Sequence, residues 1–152
     1  MLETIRNESE GVAVYKFLEQ IVADYMTRKP RTVGRDTTMR ELGELFKTQD
    51  FNAYPAIDGE QVLGIVSKLD YLSCFVFSAA RMSPRYPDLM QRTVADVMSS
   101  EFIYVAPDTR LTRVLELMVN YRLRSVPVLD ADQRLAGIIS REDVIHAVQD
   151  CT

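Results

Sequence analysis

The chain has 152 residues, of which 47% are hydrophobic and 26% charged, a balance that supports one sizeable core and excludes an extended low-complexity chain. A net charge of −4 and a pI near 5.1 argue against a binder of phosphate backbones, which normally presents a basic face, so no nucleic-acid partner is expected. No run of about 18 apolar residues is present to span a bilayer; the most apolar stretch, residues 69–80, is broken by Asp70 and Ser73, and no membrane partner is expected.

The first residues, MLETIRNESEG, hold three glutamates and no apolar centre, unlike a secretory signal or an Arg-rich transit peptide, so a cytoplasmic location is expected. Gly11 to Tyr25 reads as an amphipathic helix with Val14, Leu18, Ile21, Val22 and Tyr25 on one side, a face that the rest of the chain or a second copy must cover. A short β-rich run at 31–33 leads to a turn at Asp36, a good residue for starting a helix. Met39, Leu42, Leu45 and Phe46 then mark one apolar helical face. A hairpin follows, with strands 53–57 and 61–66 around Asp58-Gly59, a pair suited to positive φ. A second helix is predicted from about Lys68 to Ala80. Residues 81–91, RMSPRYPDLMQ, form a linker in which Pro84 and Pro87 forbid a continuing helix.

The same series then recurs: a strand at 102–105, a turn at Pro107-Asp108, a helix with Leu111, Val114, Leu115 and Met118 inward, hairpin strands 125–129 and 134–139, and a helix over 141–149. The recurrence extends to residue identity. Val22-Ala23-Asp24-Tyr25-Met26 is echoed by Val94-Ala95-Asp96-Val97-Met98, an offset of 72 that also relates Val33 to Val105, Asp36-Thr37 to Asp108-Thr109, Pro55 to Pro127 and Asp58 to Asp130. After one inserted residue the offset is 73, relating Gly64-Ile65-Val66-Ser67 to Gly137-Ile138-Ile139-Ser140 and Asp70 to Asp143. The insertion falls in a turn, where length changes are tolerated after a duplication.

Each half, β-α-β-β-α, is too small to bury its sheet and helices alone. The expected fold is therefore α+β, with two such repeats packed sheet to sheet about a pseudo-twofold axis, plus a leading helix. The expected divisions are 1–21 for the N-terminal extension and helix, 22–80 for the first repeat, 81–91 for the linker and 92–152 for the second repeat. Two clefts between the halves are expected.

Met26-Thr27, Val33 to Thr37, Tyr54-Pro55-Ala56-Ile57-Asp58 and Gly64 to Asp70, with counterparts Met98-Ser99, Val105 to Thr109, Val126-Pro127-Val128-Leu129-Asp130 and Gly137 to Asp143, resemble a pair of cystathionine β-synthase (CBS) domains. The resemblance covers about residues 20 to 150; the order, spacing and duplication of the motifs carry it, no one motif being specific. It implies a regulatory module that binds an adenosine-containing ligand such as AMP, ADP, ATP or S-adenosylmethionine in the clefts. It also implies a stand-alone pair that forms a homodimer; a separate effector protein is a further candidate partner.

Ser67-x-x-Asp70 and Ser140-x-x-Asp143 sit at predicted strand-to-helix junctions, where backbone N–H groups favour an anion. The resemblance assigns the carboxylates to ribose hydroxyls; the same spacing also describes a helix cap that would stabilise the fold by about 1 kcal/mol without any ligand. The resemblance implies crossed pockets. Asp70, with Ser67, would share one with Ser99, Tyr104, Arg124, Ser125 and Val126, and Asp143, with Ser140, would share the other with Thr27, Thr32, Asn52, Ala53 and Tyr54. Arg124 offers a fixed charge and a fork of donors where the equivalent Asn52 is neutral, so the Asp70 pocket is expected to take the more anionic ligand. A solvated surface arginine is the alternative. Lys68, Arg141 and the Arg28, Lys29, Arg31 group read as surface residues.

No catalytic cofactor is expected and the protein is not expected to be an enzyme. The single histidine, His146, has no nucleophile arranged around it, and a triad needs a base held by a third group. There is no Gly-x-Ser-x-Gly, no phosphate-cradling glycine loop and no His/Cys/carboxylate spacing for a metal. Asp24 and Asp96 read as helix termini, and Cys74 and Cys151 carry no assigned role. A structural or dimerisation module with no bound nucleotide is the alternative function.

Overall fold

The computed structural model describes residues 16–76 and 86–151. In chain order the elements are a 3-10 turn Val22–Asp24, β1 (Thr27–Arg28), β2 (Val33–Gly34), α1 (Met39–Thr48), β3 (Ala53–Asp58), β4 (Gln61–Ser67), α2 (Lys68–Ser73), α3 (Tyr86–Met90), α4 (Val94–Val97), α5 (Leu111–Tyr121), β5 (Ser125–Leu129), β6 (Leu135–Ser140) and α6 (Arg141–Asp150). The fold is α+β, with the β-α-β-β-α order repeated. Two compact units result, and they are not the sequence repeats: residues 31–102 form one, residues 1–30 with 103–152 the other. The leading segment of each repeat is thus built into the unit that holds the body of the other.

In the unit of residues 31–102, β2 runs parallel to β3, with Val33 opposite Ala56, and β3 and β4 form an antiparallel hairpin. Gly59, at φ 63°, turns the hairpin in the left-handed region that glycine enters without a Cβ penalty. Thr38 caps α1 by accepting the Glu41 N–H at 3.3 Å. Val33, Met39, Leu42, Tyr54, Ala56, Val66, Leu89, Met90 and Val94 make the core. Leader α4 is fastened by backbone bonds, Val94 N–H to the Thr37 carbonyl and Met39 N–H to the Arg92 carbonyl, both 2.8 Å.

The other unit repeats the plan with a sheet ordered β1-β6-β5, in which Thr27 of the first leader lies opposite Ile138. Its core is Val22, Met26, Val105, Leu111, Val114, Leu117, Met118, Val126, Val128, Ile139, Val144 and Ala147. On α5 the buried position is Leu117; the predicted Leu115 is 39% exposed.

Several expected elements differ. The strand expected at 102–105 is reduced to one parallel bridge between Val105 and Val128. The leading helix does not reach Tyr25: Ile21 is extended, and the N–H groups of Val22 and Ala23 bond instead to the carbonyls of Thr109 and Pro107, each at 2.8 Å. These tertiary backbone bonds outweigh the weak local preference for helix. Phe17 and Tyr25 pack on the core just described; the part of the predicted helix before residue 16 lies outside the described residues. The helix expected from Lys68 to Ala80 ends at Ser73, and 77–80 lie outside the description, as does Pro84. In the linker, Pro87 does not prevent a helix, because it stands in the first turn of α3, where a missing N–H costs nothing.

Candidate functional site

Each short hairpin returns the chain so that the last residue of its second strand lies beside the first residue of its first strand. Ser67 is opposite Ala53, and Ser140 is opposite Ser125. The helix that follows starts immediately, and its first N–H is bonded to the carbonyl three residues before the proline. Lys68 N–H donates to Asn52 and Arg141 N–H donates to Arg124, both at 3.0 Å. The two junctions therefore share one backbone design.

Both serines are N-caps of reciprocal boxes. The Ser67 N–H donates to Asp70 Oδ2 at 2.8 Å, the Ser67 hydroxyl donates to the same oxygen at 3.0 Å, and the Asp70 N–H donates back to Ser67 Oγ at 3.1 Å. At the second junction Ser140 N–H donates to Asp143 Oδ2 at 2.8 Å and Asp143 N–H to Ser140 Oγ at 3.2 Å. A third box occurs at the start of α4, where Asp96 Oδ2 accepts the Thr93 N–H at 3.1 Å and the Thr93 hydroxyl at 3.2 Å. These bonds hold the Asp96 carboxyl below the usual carboxylate range. The Thr-x-x-Asp spacing signals this box in the sequence, although it is not among the candidate residues.

A close backbone approach locks each leader beside its junction. Ile65 and Ser99 exchange both backbone bonds, at 3.0 and 2.9 Å. Gly64, the neighbour of Ile65, has no room for a side chain: a Cβ there would lie 2.5 Å from the Ser99 carbonyl oxygen.

The candidate residues sort by unit. Thr32, Asn52, Ala53, Tyr54, Ser67, Asp70 and Ser99 lie in the unit of residues 31–102; Thr27, Tyr104, Arg124, Ser125, Val126, Ser140 and Asp143 lie in the other. Within each unit the residue three before the proline is bonded to the first helical residue after its own serine, Asn52 to Lys68 and Arg124 to Arg141, and the Met-Thr and Met-Ser leaders each lie in the unit that holds the other repeat's junction.

Two of the candidates have their side chains in the core. Tyr54 is 1% exposed, its hydroxyl donating to Gln49 Oε1 at 3.0 Å and its ring packed at a tilt against Phe46 and edge-on against Phe51; burial raises its pKa. Val126 is fully buried. Neither side chain is open to a ligand, and both residues are paired within their hairpins, Tyr54 with Val66 and Val126 with Ile139. Thr32, Asn52, Ala53 and Ser125 are half-buried, and Thr27, Ser99, Tyr104 and Arg124 are exposed.

His146 is exposed on α6 with Asp150 Oδ1 4.0 Å away. Among the described residues no group of three His, Cys, Asp or Glu side chains is arranged to hold a metal, and no helix is long and apolar enough to cross a membrane. Cys74 and Cys151 are both buried as free thiols.

The β-α-β-β-α order repeated along the chain, with a capped Ser-x-x-Asp junction in each unit, defines a tandem-repeat module. The CBS domain pattern matches residues 22–76 and 94–150, and the chain belongs to the CBS domain family. It is 29% identical over 128 residues to an uncharacterized protein of Methanocaldococcus jannaschii, a match covering 83% of this chain and 43% of that protein. It is 32% identical over 124 residues to the A-adding tRNA nucleotidyltransferase of Geobacter sulfurreducens, covering 82% of this chain and 13% of the enzyme. The chain therefore spans less than half the length of these relatives. The crystal structure of CBSX2 of Arabidopsis thaliana in complex with AMP superposes with a TM-score of 0.74 at 26% identity, covering 86% of this chain and 96% of that one.

Proposed function

We propose that the chain is a regulatory ligand-sensing module that takes an adenosine-containing nucleotide, AMP, ADP or ATP, at its Ser-x-x-Asp junctions and passes the occupancy to a separate effector protein. The observation that carries this reading is the way each junction uses its carboxylate. Capping engages Oδ2 of Asp70 and of Asp143, and an ionised carboxylate offers about four acceptor positions. Helix capping and recognition of a ribose diol therefore draw on different lone pairs, and one residue serves both. The AMP complex of the similar CBSX2 supports adenosine as the common element. Occupancy changes the protein's state only through different affinities for two conformations.

The test is a thermal-shift panel of adenosine, AMP, ADP, ATP and S-adenosylmethionine. A ligand at 100 times its Kd adds about 2.7 kcal/mol of apparent stability. A flat panel at millimolar concentrations ends the proposal.

A second reading, a structural or dimerisation module, has its own observation. The Thr93-Asp96 box shows that this spacing serves as a cap away from any pre-proline segment. In addition, a groove between α5 and α6 is lined by apolar Leu115, Met118, Val119, Val144 and Ile145, with Arg122 and Arg141 beside them. A flat panel together with a dimer that Val119→Glu converts to monomer, read by light scattering, selects this reading.

A further inference from the structure

The helix pairs of the two units use equivalent positions but are finished differently. Leu115 and Met118 of α5 and Val144 of α6 correspond, at the repeat offsets of 72 and 73, to Gly43, Phe46 and Tyr71. In the unit of residues 31–102 the Tyr71 ring lies across α1. A Cβ on Gly43 would stand 2.8 Å from the Tyr71 hydroxyl oxygen, and the ring meets Phe46 edge-on with centroids 6.0 Å apart. That helix pair supplies its own aromatic plug. In the other unit a valine stands where the tyrosine would, and a groove of about 300 Å³ remains between α5 and α6. Val119 and Ile145 on its rim are 67% and 55% exposed, and clustered exposed apolar side chains mark an interaction surface. Arg122, which ends α5, and Arg141, which starts α6, line the groove at one end; among the described residues no carboxylate lines it.

We infer that this groove is the docking site for a helix of a separate protein, one that presents an aromatic or large aliphatic side chain with carboxylates beside it. The inference rests on the effector part of the reading above and gives that effector a surface. A ring inserted from outside would do between two proteins what Tyr71 does within the chain, burying the apolar walls. A third helix laid along α5 and α6 suits the site, because helix-in-groove recognition anchors on residues one turn apart. Guanidinium groups bind carboxylates through paired, charge-assisted hydrogen bonds, so Arg122 and Arg141 set the sign of the partner and the end at which its acidic residues lie. A second copy of the chain matches less well. Its exposed apolar ridge, Leu69, Leu72 and Val76, begins beside Lys68, and the Asp70 carboxylate there is bonded into the Ser67 cap, so the charge it offers has the groove's own sign.

The experiment is fluorescence anisotropy of a labelled four-turn helical peptide, with a tyrosine and a leucine one turn apart and two glutamates in the turn that would meet Arg122 and Arg141, titrated with the full chain without nucleotide. Saturable binding is expected, and replacing the glutamates by lysines is expected to weaken it about tenfold. Arg122→Asn, which keeps a residue tolerant of the left-handed conformation found there at φ 54°, is expected to weaken the glutamate peptide only. Leu115→Gly combined with Val144→Tyr rebuilds the plug of the other unit and is expected to abolish binding in a chain that still melts cooperatively. Val119→Glu, confined to the exposed rim, is expected to abolish binding without disturbing the core. No saturable binding up to about 1 mM, equal affinity for the two peptides, or unchanged binding in Val119→Glu overturns the inference. A wild-type dimer that Val119→Glu converts to monomer in light scattering also overturns it, because a second copy then fills the groove. A response in the adenosyl panel without peptide binding removes this surface and leaves nucleotide sensing in place; peptide binding with a flat panel keeps the surface and removes the sensing.

Discussion

Gly137 lies so close to the Thr27 carbonyl that a Cβ added to the glycine would sit 2.6 Å from that oxygen. The glycine's strand, β6, pairs there with the leader strand β1, and the Met26 sulfur would be only 2.9 Å from the added atom. Gly137→Ala must therefore push β1 off the sheet edge or distort β6, and backbone gives way less readily than a side chain. It is expected to lower stability by about 1–3 kcal/mol, seen as a drop of several degrees in melting temperature. Gly64→Ala, against Ser99, is expected to match it. An unchanged melting temperature in either variant contradicts the close approach.

Ser140→Ala removes the acceptor for the Asp143 N–H at the start of a ten-residue helix. The expected loss is about 1 kcal/mol, measured by urea denaturation, and Ser140→Thr should restore most of it. Ser67→Ala is expected to cost less, since α2 has only six residues to lose.

The box at Thr93 and Asp96 predicts a pH dependence. Hydrogen bonds from Thr93 depress the Asp96 pKa in the folded chain, so their contribution is complete above the unfolded value of about 3.9 and disappears as pH falls through the lower folded value. Asp96→Ala should thus be less stable than wild type at neutral pH, with a gap that narrows below about pH 4. Urea midpoints measured across the acid range check this; a gap independent of pH counts against it.

Burial raises the pKa of the Cys74 thiol, an effect that Arg92 only partly offsets. Reactivity belongs to the thiolate. Alkylation of Cys74 at mildly alkaline pH, followed by peptide mass spectrometry, is expected to be on the order of tenfold slower in the native chain than in urea. Equal rates would mean that the thiol is not sheltered.

Much of this was legible in the sequence because it is local. Strict spacing reports the repeat, the Gly59 turn, the helical face of α1 and, apart from Leu115, that of α5, and Ser-x-x-Asp reports the caps. What could not be read is which repeat each leader joins. Val22 to Arg28 has the same local preferences wherever it packs, and only long-range backbone pairing, such as Thr27 with Ile138, decides. The helix misjudged at Ile21 has the same origin, since Thr109 and Pro107 supply carbonyls from far along the chain. Tyr54 stands out for another reason: a residue next to the family's proline could face a ligand or the core, and its bond to Gln49 settles the matter only in three dimensions.

The exchanged leaders bear on how the polypeptide could be divided. Severed in the stretch between Val76 and Tyr86, the N-terminal piece would keep β1 but lose the sheet it borders, and the C-terminal piece would keep α4 and Ser99 but lose Gly64 and Thr37, to which they are fastened. Each product would expose a bare strand margin while carrying the strip that the other lacks. Co-expressed pieces would be driven to complement one another, whereas either alone would be prone to aggregate along its open edge.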